Sequence, residues 1–429
     1  MSSQVTSSSE TQAAYPPGAE SLSLPTRSRG RPGFKSRAVL RALERLRVGS
    51  LELHLPDGRI RRFSGEKTDT AAIGLEASLT VHDWSALSVA ASRGDIGFGE
   101  AYMDGLWSSP DVAGLLKLIA ANRDAMSDVI YGRWWATLAD QVRHLLRANR
   151  RTQARKNIAA HYDLGNAFYQ VWLDPTMTYS SALFDTKGQW AEAVDLQAGQ
   201  IRKIDRAITQ LRLRGNAEER VLEIGCGWGG LAHRLLTTKP CSYVGLTLST
   251  EQQALAQRLL ADQPAEVRLQ DYRDVQETFD GIVSIEMFEA VGEHYWDTYF
   301  KTLARCLKKS GRAVIQTITI DEKLFDRYRH HTDFIQQYIF PGGMLPSKTA
   351  FEQHAEKAGL VIEDAFFFGQ DYARTLAEWT TTFQASRQAI EAQGFDQRFM
   401  RMWHFYLAYC EAGFAQDNIN VAQFTLRHR

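Results

Sequence analysis

The stretch from Val221 to Gly230, reading VLEIGCGWGG, constrains the fold of this chain more than any other. Val221, Leu222 and Ile224 make a short apolar strand with Glu223 near its end, and Gly225, Gly227 and Gly229 follow at alternate positions. Glycines spaced in this way let the backbone turn sharply and pass close to a ligand where a Cβ would collide. The helix predicted from Leu231 to Leu236 then offers unpaired N–H groups to an acceptor-rich ligand. Strand, glycine turn and helix in this order predict a cofactor cradle at the carboxyl edge of a sheet.

The glycines alone leave two cofactors open, because Gly225, Gly227 and Gly230 also satisfy the dinucleotide fingerprint. A nicotinamide site calls for an acidic residue about 20 positions on, at the end of the next strand. Here the chain reads YVGLTLS from Tyr243 to Ser249, without a carboxylate, and no pyrophosphate-binding lysine accompanies the turn. A glutamate just before the first glycine, Glu223, suits S-adenosylmethionine, where it fixes the turn or reaches the methionine end. Glu223 and the missing acid together favour the methyl donor.

A chain of 429 residues, 44% of them hydrophobic, can bury one large core and a smaller one. Its 50 Lys and Arg balance its 50 Asp and Glu, so net charge selects no acidic partner. The balance fails locally. Arg27, Arg29, Arg31, Lys35, Arg37, Arg41, Arg45 and Arg47 are opposed only by Glu44, and a second basic run holds Arg143, Arg147, Arg150, Arg151, Arg155 and Lys156. Such runs suit an anionic membrane at roughly 1 kcal/mol per cation, and equally suit a solvated face or tail. Nucleic acid is the rival partner, disfavoured by the absence of a separate RNA-binding module. Cys226, Cys241, Cys306 and Cys410 lack metal-ligand spacing, so neither a disulfide nor a metal site is expected, and a reduced cytoplasmic setting is. The Ser-rich start has no signal-peptide core, and no apolar run of about 18 residues could span a bilayer. Membrane contact is therefore expected to be peripheral, at the inner face.

Residues 1–34 predict a disordered basic arm, 35–150 a small N-terminal α/β domain with linking helices, and 151–429 the catalytic domain. Val39, Leu43 and Leu46 repeat at helical spacing opposite Arg37, Arg41 and Arg45. Leu51–Leu55 alternates as a strand, and Pro56-Asp57-Gly58 turns into another from Arg59 to Phe63. Farther on, strands are predicted at Val221–Ile224, Tyr243–Leu248, Val267–Gln270, Gly281–Ile285, Arg312–Ile320 and Phe366–Phe368, with helices between several of them. That alternation predicts a parallel sheet covered on both faces.

Beyond the glycine turn stand HYDLGNAFY from His161, LDPTMTYSSALF from Leu173, GLTLSTEQ from Gly245 and LQDYRDV from Leu269. SIEMFEAVGEHYW follows from Ser284, YIFPGGMLPS from Tyr338 and FGQDYARTL from Phe368. In this order they resemble the cyclopropane-fatty-acyl-phospholipid synthase family, which includes the mycolic acid cyclopropane synthases. The C-terminal RMWHFYLAYCEAGF resembles it too, and GDIGFGEAYMDG resembles the N-terminal domain of its longer bacterial members.

The resemblance implies a doubly wound α/β sheet of the S-adenosylmethionine-dependent methyltransferase (Rossmann-like) type. It places Tyr179 and Ser180 over the donor, and the main chain around Glu223, Gly225, Cys226, Gly227 and Gly229 at its methionine part. Thr247, Leu248 and Gln252 fall at the ribose, with Asp271, Tyr272 and Arg273 by the adenine. Taken singly, Thr247 or Tyr272 would read as strand-end packing.

An isolated alkene is a weak nucleophile, so attack on a sulfonium methyl needs alignment in a dry cavity more than a base. The resulting carbocation can be steadied by aromatic faces, but a proton must still be removed. In the family the base is inferred to be bicarbonate, held by a Cys-bearing loop, a Glu, a His, a Tyr and a main-chain contact. Glu289, Tyr372 and Ile318 match the Glu, the Tyr and the main-chain contact. Ser181 stands in place of the Cys and Gln316 in place of the His. Ser181 can donate through its hydroxyl or its N–H, whereas Gln316 can neither carry charge nor accept a proton near neutral pH. Either bicarbonate is still held, through Glu289, Tyr372, Gln316 and amides, or the cation is resolved differently.

The expected activity is delivery of the methyl of S-adenosylmethionine to the double bond of an unsaturated phospholipid acyl chain, giving a cyclopropane. The alternatives are a methylated or methylene-branched chain, and a lipid-binding protein that has lost catalysis. Expected partners are the phospholipid bilayer surface, its acyl chains and, as an assembly, a homodimer. No role is assigned to His161, His294, His330 or His331.

Overall fold

The computed structural model describes residues 31–65, 75–126, 164–184 and 194–429. Most of the N-terminal arm, the second basic run and His161 lie outside the described residues.

A four-stranded sheet forms first, from β1 (Ser50–His54), β2 (Ile60–Ser64), β3 (Glu76–Val81) and β4 (Trp107–Ser108), in the order β2-β1-β3-β4. β1 pairs antiparallel with β2 and parallel with β3. The helices Phe34–Leu43, Ser85–Met103 and Val112–Ala121 accompany it. The first is amphipathic as its spacing predicts: Val39, Leu40 and Leu43 are buried while Lys35, Arg37 and Arg41 are exposed. The second is broken at Gly94, whose φ of 59° and ψ of −134° are not helical.

The larger sheet has seven strands: β5 (Arg220–Ile224), β6 (Ser242–Thr247), β7 (Ala265–Leu269), β8 (Phe279–Ile285), β9 (Leu307–Ile320), β10 (Leu360–Phe367) and β11 (Ile419–His428). Their spatial order is β10-β11-β9-β8-β5-β6-β7. β5 and β6 read as nearly continuous apolar runs because both faces of the sheet are covered. The strands from β7 through β9 pair in parallel. The expected all-parallel sheet is nevertheless incorrect at one edge. β11 inserts between β9 and β10 and runs antiparallel to both, because the helix before it, Gln397–Ala415, delivers the chain at the opposite end of the sheet. The strand boundaries also differ, by one or two residues at β5 to β8 and by more at β9 and β10. β9 begins at Leu307 rather than Arg312, and the last predicted strand is β10, with Phe368 already starting the next helix.

The two sheets are joined by aromatic packing. Helix Gln397–Ala415 lies against helix Gly369–Ala385 on one side and against Ser85–Met103 and Val112–Ala121 on the other. Phe168, Trp172, Trp379 and Trp403 are each almost fully buried in a common apolar core that extends into the small sheet. Polar ties cross the same seam: Lys117 pairs with Glu411 at 2.6 Å, and Tyr102 Oη with His404 Nδ1 at 2.8 Å. Gly99 permits a close approach, since a Cβ there would stand 2.5 Å from the buried Phe334 ring. Gly99→Ala is expected to destabilise the protein by about 1–3 kcal/mol through overpacking, read as a lowered urea midpoint.

Candidate active site

The carboxyl ends of β5 and β6 form the cradle. The N–H groups of Gly225 and Cys226 donate to Leu246 O at 3.0 and 2.9 Å, which pins the turn to the neighbouring strand. Gly225, Gly227 and Gly229 all have positive φ, at 83°, 50° and 91°. A Cβ on Gly225 would stand 2.7 Å from Met287, whereas one on Gly227 would meet nothing within 4 Å and would project into open space. That space belongs to a cavity of about 510 Å³. Ten further predicted donor residues border it: Tyr179, Ser180, Glu223, Cys226, Thr247, Leu248, Gln252, Asp271, Tyr272 and Arg273. Gly229 does not. It caps helix Gly230–Thr238 instead, with Ala256 3.2 Å from where its Cβ would be.

Several of these groups are fixed before any ligand arrives. Glu223 accepts from Tyr243 Oη, and burial pushes its carboxyl up to about 7. Thr247 Oγ1 donates to Gln252 Oε1 at 2.8 Å, which orients that amide. Asp271 is held by Arg273, whose guanidinium lies 5.6 Å from the Tyr272 ring centre. The cradle therefore offers an acidic group at one end, an aromatic ring at the other and a glycine gap between, which fits a ligand with an amino-acid tail and a purine head.

The expected anion seat holds a side chain. Glu286, at the end of β8, accepts from Ser181 N at 2.9 Å and Gln316 Nε2 at 2.6 Å through Oε1, and from Tyr372 Oη at 2.5 Å through Oε2. These are donors that the family resemblance reserves for bicarbonate. Ser181 and Gln316 are fully buried behind Glu286 and do not border the cavity, which corrects the expectation that they line the same pocket as Glu289 and Tyr372. The Ser181 hydroxyl is turned away, donating to Ala182 O at 2.9 Å, and only its N–H serves the site. As arranged, the pocket does not fit a separate bicarbonate ion.

Glu286 occupies this position at a conformational cost. Its φ is 48°, a left-handed backbone that a non-glycine residue adopts at roughly 1–3 kcal/mol. The amide beneath it is also fixed. Arg206 Nη1 donates to Gln423 Oε1 at 2.9 Å, Gln423 Nε2 donates to Gln316 Oε1 at 2.9 Å, and Gln316 Nε2 is thereby left facing Glu286. Because a guanidinium can only donate, it sets the orientation of both amides in turn.

Glu289 is the second carboxylate. Its Oε1 accepts from Ile318 N at 2.5 Å and from Thr317 Oγ1 at 3.0 Å, while its buried Oε2 has no partner in the structure. Burial first, and the charge of Glu286 second, push its carboxyl up to about 8. Burial raises Glu286 as well, but the buried Lys203, Tyr372, Ser181 N and Gln316 all favour its charged form. The two adjacent carboxyl groups sit in unlike surroundings: Glu286 accepts three hydrogen bonds, whereas Glu289 is pushed toward its protonated form.

Lys203 supplies the positive neighbour that Gln316 cannot. Its Nζ donates to Ser180 Oγ, and burial brings its ammonium down to about 8 against the opposing pull of Glu286, Asp174 and Glu223. Sequence reading missed both Glu286 and Lys203, although each left a trace. Glu286 directly follows an apolar strand at the sheet edge where ligands bind. Lys203 sits on the apolar stripe of helix Leu196–Gln210, among buried Gly199, Ile204 and Ala207, where a lone cation is out of pattern.

Residues 149–424 match the family model described as mycolic acid cyclopropane synthetase. The chain is 40% identical over 382 residues to the tuberculostearic acid methyltransferase of Mycobacterium tuberculosis, covering 87% of this chain and 88% of the relative. It is 34% identical over 376 residues to the cyclopropane-fatty-acyl-phospholipid synthase of Escherichia coli, covering 87% and 94%. Among solved structures, mycolic acid cyclopropane synthase CmaA1 in complex with SAH and CTAB superposes with a TM-score of 0.58 at 33% identity, covering 63% of this chain and 97% of that one. The glycine cradle, the sheet order and these likenesses agree: the chain belongs to the mycolic acid cyclopropane synthetase family of S-adenosylmethionine-dependent methyltransferases.

Proposed function

We propose that this enzyme methylates a double bond in the acyl chain of a phospholipid and uses Glu286, in place of bicarbonate, as the built-in proton acceptor. The observation that carries this reading is the Glu286 carboxylate seated on Ser181 N, Gln316 Nε2 and Tyr372 Oη.

S-adenosylmethionine, when bound, supplies an electrophilic methyl group on sulfur. The chain's own residues do the rest. The cradle from Glu223 to Gly227 and the Tyr272 ring orient the donor, and apolar walls exclude water from the alkene. The alkene π pair forms the new C–C bond as the C–S pair returns to sulfur, leaving positive charge on the adjacent chain carbon. The ionised Glu286, set in a low-dielectric pocket, stabilises that charge and takes the proton. Tyr179, Tyr372 and Phe414 present aromatic faces to the same cavity.

Which proton leaves decides the product. Loss from the new methyl group with ring closure gives a cyclopropane. A hydride shift onto the cation, followed by loss of a methyl proton, gives a methylene branch of the same mass. We favour the methylene branch, because the site lacks the expected bicarbonate seat and the 40% relative is named a methyltransferase. The substrate chain lies in a bilayer, and among the described residues no helix is long and apolar enough to cross one. Docking therefore falls to surface charge. Helix Phe34–Leu43 spends its apolar face on the core and turns Lys35, Arg37 and Arg41 outward, suiting the anionic inner face of the cytoplasmic membrane.

Expression in a host without its own synthase, followed by lipid mass spectrometry and NMR, tests the reaction. The expected product is heavier by one CH2 and shows vinylidene protons; high-field cyclopropane protons would replace the branched reading with the ring. Glu286→Gln is expected to lower turnover by roughly 10²–10⁴-fold with donor binding by calorimetry little changed. Glu286→Gly relieves the left-handed backbone and vacates the seat, so added bicarbonate should restore part of its activity while leaving Glu286→Gln unrescued. Turnover that survives either change without bicarbonate would remove Glu286 from the chemistry. Because burial raises the Glu286 carboxyl, the acid limb of kcat/KM should rise with pH at values above the ordinary glutamate pKa of about 4.3.

A further inference from the structure

The cavity that holds the donor cradle does not end at the large sheet. It continues across the seam into the small one, where Leu43, Leu51, Leu79, Leu87, Ala90 and Leu115 border it. These residues come from β1, β3 and three helices, which elsewhere in a domain of this kind would meet in a filled core. Here the leucines pack with one another, and they and Ala90 also border the cavity.

Two charged side chains from the small unit, Asp95 and Arg123, border the cavity at this seam. At the break in helix Ser85–Met103, Asp95 accepts from Tyr409 Oη at 2.8 Å and from Phe334 N at 3.3 Å, and Arg123 adds its charge nearby. These contacts tie the small sheet to helices Gln397–Ala415 and Phe334–Tyr338, both of which also border the donor end of the cavity. Gly94 makes the break possible, since its φ of 59° and ψ of −134° carry Asp95 off the helical path.

We propose that the methyl-terminal part of the acyl chain ends inside the small sheet unit, which thereby measures how far the double bond lies from that end. The inference rests on the alkene-methylating function given above. With the alkene beside the donor, the rest of a linear apolar chain must run onward through the same cavity, and the leucine-lined limb matches its chemistry. The charged head group does not suit that limb, because among the described residues the small unit's lining, Asp95 and Arg123 apart, is apolar. The methyl end is the part that fits.

A fatty acid carrying a diazirine at its methyl end, photolysed in the full-length protein with S-adenosylhomocysteine present, reads this placement without turnover. Label is expected on peptides from helices Ser85–Met103 and Val112–Ala121. Label confined to residues 164–429 would overturn the proposal while leaving the methylation reading intact. A second measurement uses phosphatidylglycerol vesicles whose acyl chains keep the spacing from carboxyl to alkene and vary only in length beyond the alkene. Ala90→Phe should lower the ratio of kcat/KM for long over short tails by about tenfold or more, and Leu87→Ala should raise it. Equal losses on all tails, or dependence on carboxyl-side length alone, would refute the placement. Absence of turnover on every lipid by the unaltered enzyme would count against the methylation reading, and the crosslinking result would still decide where the chain ends.

Discussion

The active site depends on one buried carboxyl group, Glu286, seated on three hydrogen-bond donors. Taking Glu286 out of water is costly, and the structure offsets that cost with three donors and the field of Lys203. Each donor is then determined by something else. Gln316 can present only its NH2 because Gln423 donates to its oxygen, and Gln423 is oriented by Arg206. Ser181 presents its N–H from a loop anchored by the bond from Ala182 N to Thr375 Oγ1 at 3.1 Å. Tyr372 comes from helix Gly369–Ala385, which the aromatic core holds in place. The reacting region is thus preorganised by contacts that never touch the ligand.

The same carboxylate explains the state of its neighbour. Glu289 has two donors on one oxygen and none on the other, and it faces the charge of Glu286. Like charges so placed oppose each other's ionisation, and Glu286 is the partner with the more hydrogen-bond donors. Under the proposed function, the role that the family resemblance centres on Glu289 passes to Glu286 as the group that receives the proton.

Architecture links this chemistry to a lipid substrate. Parallel strands place the cradle and the Glu286 turn at the same edge of the sheet, so both border one cavity. Helix Gln397–Ala415 closes that cavity on one side and packs on the small sheet with the other, so it belongs to both cores. The helix break at Gly94 and the close approach at Gly99 shape the seam through which the cavity continues.

The strand, glycine turn and helix around Gly225 were legible in the sequence because local sterics dictate them, and so were the buried apolar strands and the segments that mark the family. Glu289, Tyr372, Ile318 and the donor residues from Thr247 to Arg273 were named through the family resemblance, and the structure places them around one cavity. The antiparallel β11 was not legible, since its apolar pattern says nothing about direction or about its neighbours. Neither was the carboxylate at the anion seat. Glu286, Ser181, Gln316, Tyr372 and Lys203 lie on separate segments, and only tertiary packing brings them within hydrogen-bonding or electrostatic range. Sequence fixes which groups are available, but the left-handed turn at Glu286 and the enclosure of a low-dielectric pocket decide which of them carries the charge.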